Sequence, residues 1–80
     1  MKKSVYVAQR ESLLILLREL RAEAGLTQAQ LAERIGTDQT FVSKYETGER
    51  RLDVLEVREV CRAMGISFIA FARRLEDQLR

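Results

Sequence analysis

The sequence lacks several residue types that common functional sites require. Among its 80 residues there is no histidine, no tryptophan and no proline, and there is a single cysteine. These absences exclude zinc fingers, histidine-based catalytic triads and a disulfide framework within one chain. Apolar runs reach only five residues, as in the segment from Leu13 to Leu17, which is too short to span a membrane. We therefore expect no metal, no cofactor, no membrane segment and no enzymatic activity.

The composition indicates one small globular domain over residues 1–80. Hydrophobic residues make up 46% of the chain and charged residues 32%, a balance typical of folded rather than disordered proteins. The net charge is only +2, from 14 basic and 12 acidic residues, which is too small to indicate a nucleic-acid partner by itself. We expect an intracellular, cytoplasmic domain that is complete as written.

Glycines and capping residues divide the chain into five predicted helices. Each glycine follows a stretch with helical spacing of apolar residues, where a left-handed residue commonly closes a helix; these glycines are Gly25, Gly36, Gly48 and Gly65. Capping boxes are predicted for Thr27 with Gln30 and for Asp53 with Glu56. Asp38 and Ser67 suit the starts of two further helices. The predicted helices cover residues 5–24, 27–35, 38–46, 53–64 and 67–79.

Apolar spacing agrees with this division and predicts an all-α fold. One stripe runs along each helix at intervals of three and four residues. The first stripe contains Leu13, Leu16, Leu17, Leu20 and Ala24, and the fourth contains Val54, Val57, Val60, Cys61 and Met64. Cys61 is interpreted as a buried small residue, because no second cysteine is available for redox sensing. No segment alternates as a strand would.

Helices 2 and 3 have the pattern of a helix-turn-helix. Each is about nine residues long, and only Gly36 and Thr37 separate them. A small residue, Ala32, stands where the second helix is expected to cross the first. Four polar residues share one face of helix 3, namely Gln39, Thr40, Ser43 and Lys44. A helix-turn-helix presents such a face to the major groove of DNA, whereas an ordinary solvated surface is the alternative.

The segment from Leu26 to Ser67, 42 of the 80 residues, resembles the Xre type of helix-turn-helix found in lambdoid phage repressors and Cro. The resemblance lies in T-Q-x-x-L-A, the I-G turn, V-S-x-x-E-x-G and the A-x-G-I end. The chain departs from the family at Leu52, where proline is frequent, and at Cys61, where alanine is usual. The resemblance implies a repressor-like bundle of five helices.

The resemblance also implies roles for individual residues. Base contacts are expected from Gln39, Thr40 and Lys44, and phosphate contacts from Gln28, Ser43, Thr47, Arg50 and Arg51. Asp38 fits such a surface only if it caps the helix or accepts from cytosine. Phe41 either touches a thymine methyl or packs beside the turn, and packing is preferred. Arg21 and Glu46 are expected to pair and to fix the recognition helix, the alternative being a weak surface ion pair.

The implied function is sequence-specific regulation of transcription by a stand-alone repressor or controller, which binds an operator in double-stranded DNA as a homodimer and without a small-molecule effector. One helix-turn-helix covers about half an operator, so two copies usually bind together. The expected interface lies on helix 5 at Phe71, Leu75 and Leu79, with help from Leu14 and Ile15 of helix 1. Alternatively, these residues only complete a small core. Two other functions stay open: an antitoxin, and an interaction module that does not bind DNA.

Overall fold

The computed structural model describes all residues, 1–80, and contains five α-helices and no strand. The helices are α1 (Lys3–Glu23), α2 (Gln28–Ile35), α3 (Gln39–Glu46), α4 (Val54–Met64) and α5 (Phe68–Leu79). The all-α, five-helix prediction is confirmed. Four predicted helices begin one residue early because the prediction counted the capping residue, and α1 begins two residues before its predicted start. No helix combines the length and the apolar character needed to cross a membrane.

Side-chain caps begin all four helices that follow α1. The Thr27 hydroxyl accepts from the Gln30 amide at 3.1 Å, and the Gln30 side chain accepts from the Thr27 amide at 2.9 Å. Asp53 and Glu56 form the second predicted capping box, at 2.8 and 3.0 Å. The Ser67 hydroxyl caps α5 with a single hydrogen bond, accepting from the Ala70 amide at 3.1 Å. These helix starts are therefore fixed by local chemistry that the sequence already contains.

The core draws residues from all five helices. α2 packs against α3 and α4, α1 against α3 and α5, and α4 against α5. The buried cluster consists of Leu16, Leu17, Leu20, Leu26, Leu31, Ala32, Val42, Tyr45, Val57, Val60, Cys61, Met64 and Phe71. Two short helices, α2 and α3, are thus held on a scaffold made by the three longer ones.

Burial corrects the predicted stripes at three positions. Ala24 is exposed because it follows the last residue of α1, and Val54 is 67% exposed because it opens α4 on the solvent side. Leu14 was expected outside the main stripe, yet it is buried. A Cβ added to Gly48 would lie 3.2 Å from the Leu14 Cδ1 atom, so the turn after α3 covers this leucine. Apolar spacing alone does not reveal a covering loop.

The turn between α2 and α3 depends on the backbone of Gly36. Its φ is +86°, and a Cβ added there meets nothing within 4 Å. Replacement by Val is therefore expected to cost about 2 kcal/mol through backbone strain rather than through a clash. Urea denaturation measures this as a lower midpoint with an unchanged m value.

Gly36→Asn is the matched control for this substitution. Asparagine adopts the left-handed conformation more readily than a β-branched residue, so it should lose less stability than valine. Equal midpoints for the valine variant and the unmodified protein would contradict the assignment of strain to this turn.

Candidate nucleic-acid interface

The two faces of α3 differ sharply in exposure. Val42, Tyr45 and Glu46 are buried against the scaffold. On the opposite side, Ser43 is half-buried, and the exposed residues are Gln39, Thr40, Lys44 and, just after the helix, Thr47. The structure therefore brings the predicted base-contacting residues together on one polar, solvent-facing surface, which we call the α3 face.

Asp38 and Phe41 support α3 at its beginning. The Asp38 carboxylate caps the helix by accepting from the Phe41 amide at 3.1 Å, which satisfies the condition stated for an acidic residue at this position. The Phe41 ring is half-buried and meets the Tyr45 ring edge-on, with 5.7 Å between centroids. Phe41 thus packs beside the turn.

Glu46, at the end of α3, is the one charged residue that the fold buries, with 2% of its surface exposed. Its carboxylate accepts from Arg21 Nε at 2.7 Å and from Arg21 Nη2 at 3.0 Å. It also accepts from Gln28 Nε2 at 2.9 Å. A third Arg21 nitrogen donates to the Leu26 carbonyl at 3.0 Å, so the expected Arg21–Glu46 pair is present and partly buried. The hydrogen bond to Glu46 raises the pKa of the Arg21 guanidinium above its ordinary value.

Two further arginines of α1, neither of them expected from the sequence, hold the end of α3. Arg18 Nη1 donates to the Glu46 carbonyl at 2.8 Å, and Arg10 Nη2 donates to the Gly48 carbonyl at 2.6 Å. The Glu46 carbonyl is one of the last in α3 and carries the partial negative charge of a helix C-terminus, so a cation stabilises it, whereas the Gly48 carbonyl belongs to the turn that follows. One feature of the sequence could have indicated this role. The spacing of Arg10, Arg18 and Arg21, with Leu14 between them, places three arginines along one side of α1.

Gln28, an expected phosphate contact, connects the buried pair to the α3 face. While Gln28 Nε2 donates to Glu46, Gln28 Oε1 accepts from Gln39 Nε2 at 3.3 Å. A continuous chain of hydrogen bonds thus runs from Arg21 through Glu46 and Gln28 to Gln39. This chain uses one Gln39 amide donor and leaves the Gln39 carbonyl oxygen free to accept.

The two arginines of the α3–α4 loop have different surroundings. Arg50 Nη2 forms an ion pair with Glu56 Oε2 at 2.7 Å, and its guanidinium lies 4.7 Å from the centroid of the Phe41 ring. The hydrogen bond from Arg50 lowers the pKa of the Glu56 carboxyl below its ordinary value. Arg51 is exposed and lies 5.8 Å from the centroid of the Tyr6 ring, with no carboxylate within ion-pair distance. Arg51 is therefore the freer cation.

Two buried polar groups, one on α3 and one on α4, lie in the core and not on the α3 face. The Tyr45 hydroxyl is buried without a hydrogen-bond partner, and burial raises its pKa well above the ordinary value. Burial also raises the pKa of the Cys61 thiol to about 11. Cys61 therefore remains a protonated thiol at neutral pH, as expected of a small core residue rather than a redox sensor.

The residues expected at a dimer interface separate into two groups. Phe71 is only 3% exposed and belongs to the core, where its ring stacks on Phe68 at 6.1 Å, so its assignment to the interface is wrong. Leu75 and Leu79 are partly exposed, and Ile15 is 39% exposed. Phe71 was misassigned because it shares the α5 stripe with Leu75 and Leu79, and spacing alone does not show that Phe71 is fully packed in the core while the two leucines are only partly covered.

The arrangement of α2, the Gly36 turn and the outward α3 face defines a helix-turn-helix protein. A family model described as "Helix-turn-helix" matches residues 17–71, which is more than half of the chain. Together with the relatives below, this match confirms the resemblance: the chain belongs to the Xre-type helix-turn-helix family.

Among curated proteins, the chain is similar to two named "Uncharacterized HTH-type transcriptional regulator". One, y4dJ of Sinorhizobium fredii, is 38% identical over 50 residues, which cover 62% of this chain and 65% of the relative. The other, from Methanothermobacter thermautotrophicus, is also 38% identical over 50 residues and is covered over 72% of its length. The chain thus spans slightly less than two thirds of the Sinorhizobium protein.

Solved structures show the same fold over nearly the whole chain. An XRE-family like protein from Pseudomonas syringae pv. tomato is 47% identical, with a TM-score of 0.88 over 94% of this chain and 92% of that one. The restriction-modification controller protein C.Esp1396I is 22% identical, with a TM-score of 0.82 over 89% of this chain and 91% of that one. At 22% identity, the second likeness concerns the fold alone.

Loss of the Glu46 carboxylate should strongly destabilise the domain. Glu46→Gln leaves Arg21 without its anionic partner in a partly buried site, which is expected to cost about 3 kcal/mol in urea denaturation. The double variant Arg21→Gln/Glu46→Gln should lose less than the sum of the single variants, because neither side chain then carries an uncompensated charge.

Glu59→Gln is the matched control. Its partner Arg58 lies at 3.9 Å, and more than half of the Glu59 side chain is exposed. This control should change stability by less than about 0.5 kcal/mol. A similar small loss for Glu46→Gln would show that the buried ion pair does not hold α3.

Proposed function

We propose that this protein is a sequence-specific DNA-binding regulator of transcription that places α3 in the major groove. The observation that carries the proposal is the α3 face, a polar surface on a short helix whose other side is anchored in the core. The regulator names of the curated relatives support the same class. The controller protein C.Esp1396I, which shares the fold, has been crystallised as a tetramer with its natural 35 base-pair operator.

Base recognition is assigned to Gln39, Thr40 and Lys44. The free Gln39 carbonyl oxygen suits the N6 amino group of adenine, and breaking its weak 3.3 Å bond to Gln28 would free the amide to donate to N7 as well. Lys44 lies one turn beyond Thr40 and suits O6 and N7 of guanine. Because all three side chains are exposed, none must leave the core to reach a base edge.

Phosphate contacts are assigned to the edges of the α3 face: Gln28, Ser43, Thr47, Arg50 and Arg51. Gln28 stands in the first turn of α2, where unpaired backbone amides favour an anion. The carboxylate of Glu56 offsets the positive charge of Arg50 and so weakens the attraction of Arg50 for a phosphate, whereas no carboxylate offsets the charge of Arg51. We therefore assign the larger electrostatic contribution to Arg51.

Selection of bound sites from a random DNA pool tests this function, followed by affinity measurements on the selected site and on random DNA. Gln39→Ala should weaken binding to the selected site by about 5- to 150-fold and leave random DNA nearly unchanged. Arg51→Gln should weaken both alike and reduce the log–log salt slope by about 1. Arg73→Gln removes an exposed charge from α5, away from α3, and is the control.

Two outcomes would contradict the proposal. If Gln39→Ala weakens selected and random DNA equally, Gln39 is not a base reader. If no sequence is enriched and binding is absent at low salt, the chain is an interaction module rather than a DNA-binding protein.

We also propose that the regulator acts as a homodimer through the end of α5. Leu75 and Leu79 keep part of their apolar surface exposed, and Ile15 of α1 adds to it. Two copies would double the phosphate contacts and read half-sites about 34–36 Å apart. The selected consensus should accordingly be palindromic.

Sedimentation velocity at micromolar concentration tests the dimer independently of DNA. The unmodified protein should sediment as a dimer, and Leu79→Glu should sediment as a monomer because it adds a charge to the interface. Ile69→Glu, on another side of α5 where Ile69 is 66% exposed, should remain dimeric. A monomer at high micromolar concentration of the unmodified protein would refute this part of the proposal.

A further inference from the structure

A cavity of about 260 Å³ lies between the first half of α1, the α3–α4 loop and the end of α5. Hydrophobic side chains form most of its wall, among them Leu13, Leu17, Leu52, Leu75 and Leu79. This cavity is partly open to solvent, and its volume gives room for a small apolar group. Its size is close to the lower end of the range for small-molecule sites.

The polar side of the same cavity is cationic. Arg10, Arg50 and Arg51 line it, and no aspartate or glutamate does. Glu56 neutralises Arg50, and Arg10 already donates to the Gly48 carbonyl. Arg51 has no carboxylate partner and lies over the ring of Tyr6, another residue of the cavity wall. An apolar chamber beside an unpaired guanidinium matches a ligand with a hydrocarbon body and one anionic head.

We propose that this cavity binds a small amphipathic carboxylate, with the hydrocarbon among the leucines and the carboxylate on Arg51. This assignment replaces the expectation that the protein has no small-molecule effector. Because Arg51 is also assigned to a DNA phosphate, an occupied cavity withdraws that cation from DNA. Only this last step rests on the proposed function, since binding of the carboxylate itself needs no DNA.

Octanoate, used below its micellar concentration, is the test ligand, and calorimetry with amide chemical-shift mapping is the measurement. Octanoate should bind saturably and shift amides of the first half of α1, the α3–α4 loop and the end of α5. Octanol, which has the same chain without the charge, and butanoate, which has the charge with a shorter chain, should each bind at least tenfold more weakly.

Arg51→Gln should raise the dissociation constant for octanoate about tenfold, as expected for loss of a charged hydrogen bond. Arg73→Gln, which removes an exposed charge outside the cavity, should leave it unchanged. Equal binding of octanol and octanoate, or an equal effect of the two variants, would overturn the assignment of the carboxylate to Arg51. Absence of any saturable binding would overturn the site.

A DNA measurement separates this inference from the proposed function. Octanoate, but not octanol, should lower the affinity of the unmodified protein for its selected site, and Arg51→Gln should remove most of that effect. Octanoate binding with no affinity for any DNA would refute the proposed function and leave the cavity site intact. DNA binding that saturating octanoate does not alter would refute the coupling between the two.

Discussion

The contacts by which α1 fixes the end of α3 are the constraint on which the orientation of the α3 face depends. α3 has only eight residues, too few for a helix to be stable alone. Arg21 neutralises the buried Glu46 carboxylate, while Arg10 and Arg18 bind the backbone carbonyls at and after the same end. Since one end and one side of α3 are fixed in this way, its other side projects into solvent in a defined direction.

The same contacts extend from the scaffold to the α3 face. Gln28 shares the Glu46 carboxylate with Arg21 and holds Gln39 by its amide. A buried charge of this kind adds little net stability, because desolvation offsets most of the attraction, but its geometry is demanding. The pair therefore contributes mainly to orientation: it sets the angle of the helix and, through Gln28, the position of one side chain on the face that we assign to DNA.

Local chemistry was predictable from the sequence, and contacts between distant segments were only partly so. The caps at Thr27, Asp53 and Ser67 and the turn at Gly36 lie within a few residues of the helices that they define. The Arg21–Glu46 pair came from the family resemblance rather than from spacing. Arg18 was not predicted because its partner is a backbone carbonyl, a group that every residue has and that the sequence therefore does not single out. Phe71 was misassigned because the spacing of apolar residues does not show which of them other helices bury.

The distribution of charge limits how such a surface can bind DNA. Three arginines of α1 bind groups at the end of α3, and Arg50 pairs with Glu56. Much of the positive charge is therefore used in contacts within the fold. Within α3 and the α3–α4 loop, Lys44 and Arg51 are the cations whose side chains have neither an ion-pair nor a hydrogen-bond partner. Two cations per copy release few counterions, and the salt dependence of binding should be correspondingly modest. High affinity would then require neutral hydrogen bonds from α3 and the joining of two copies, because net charge alone cannot provide it.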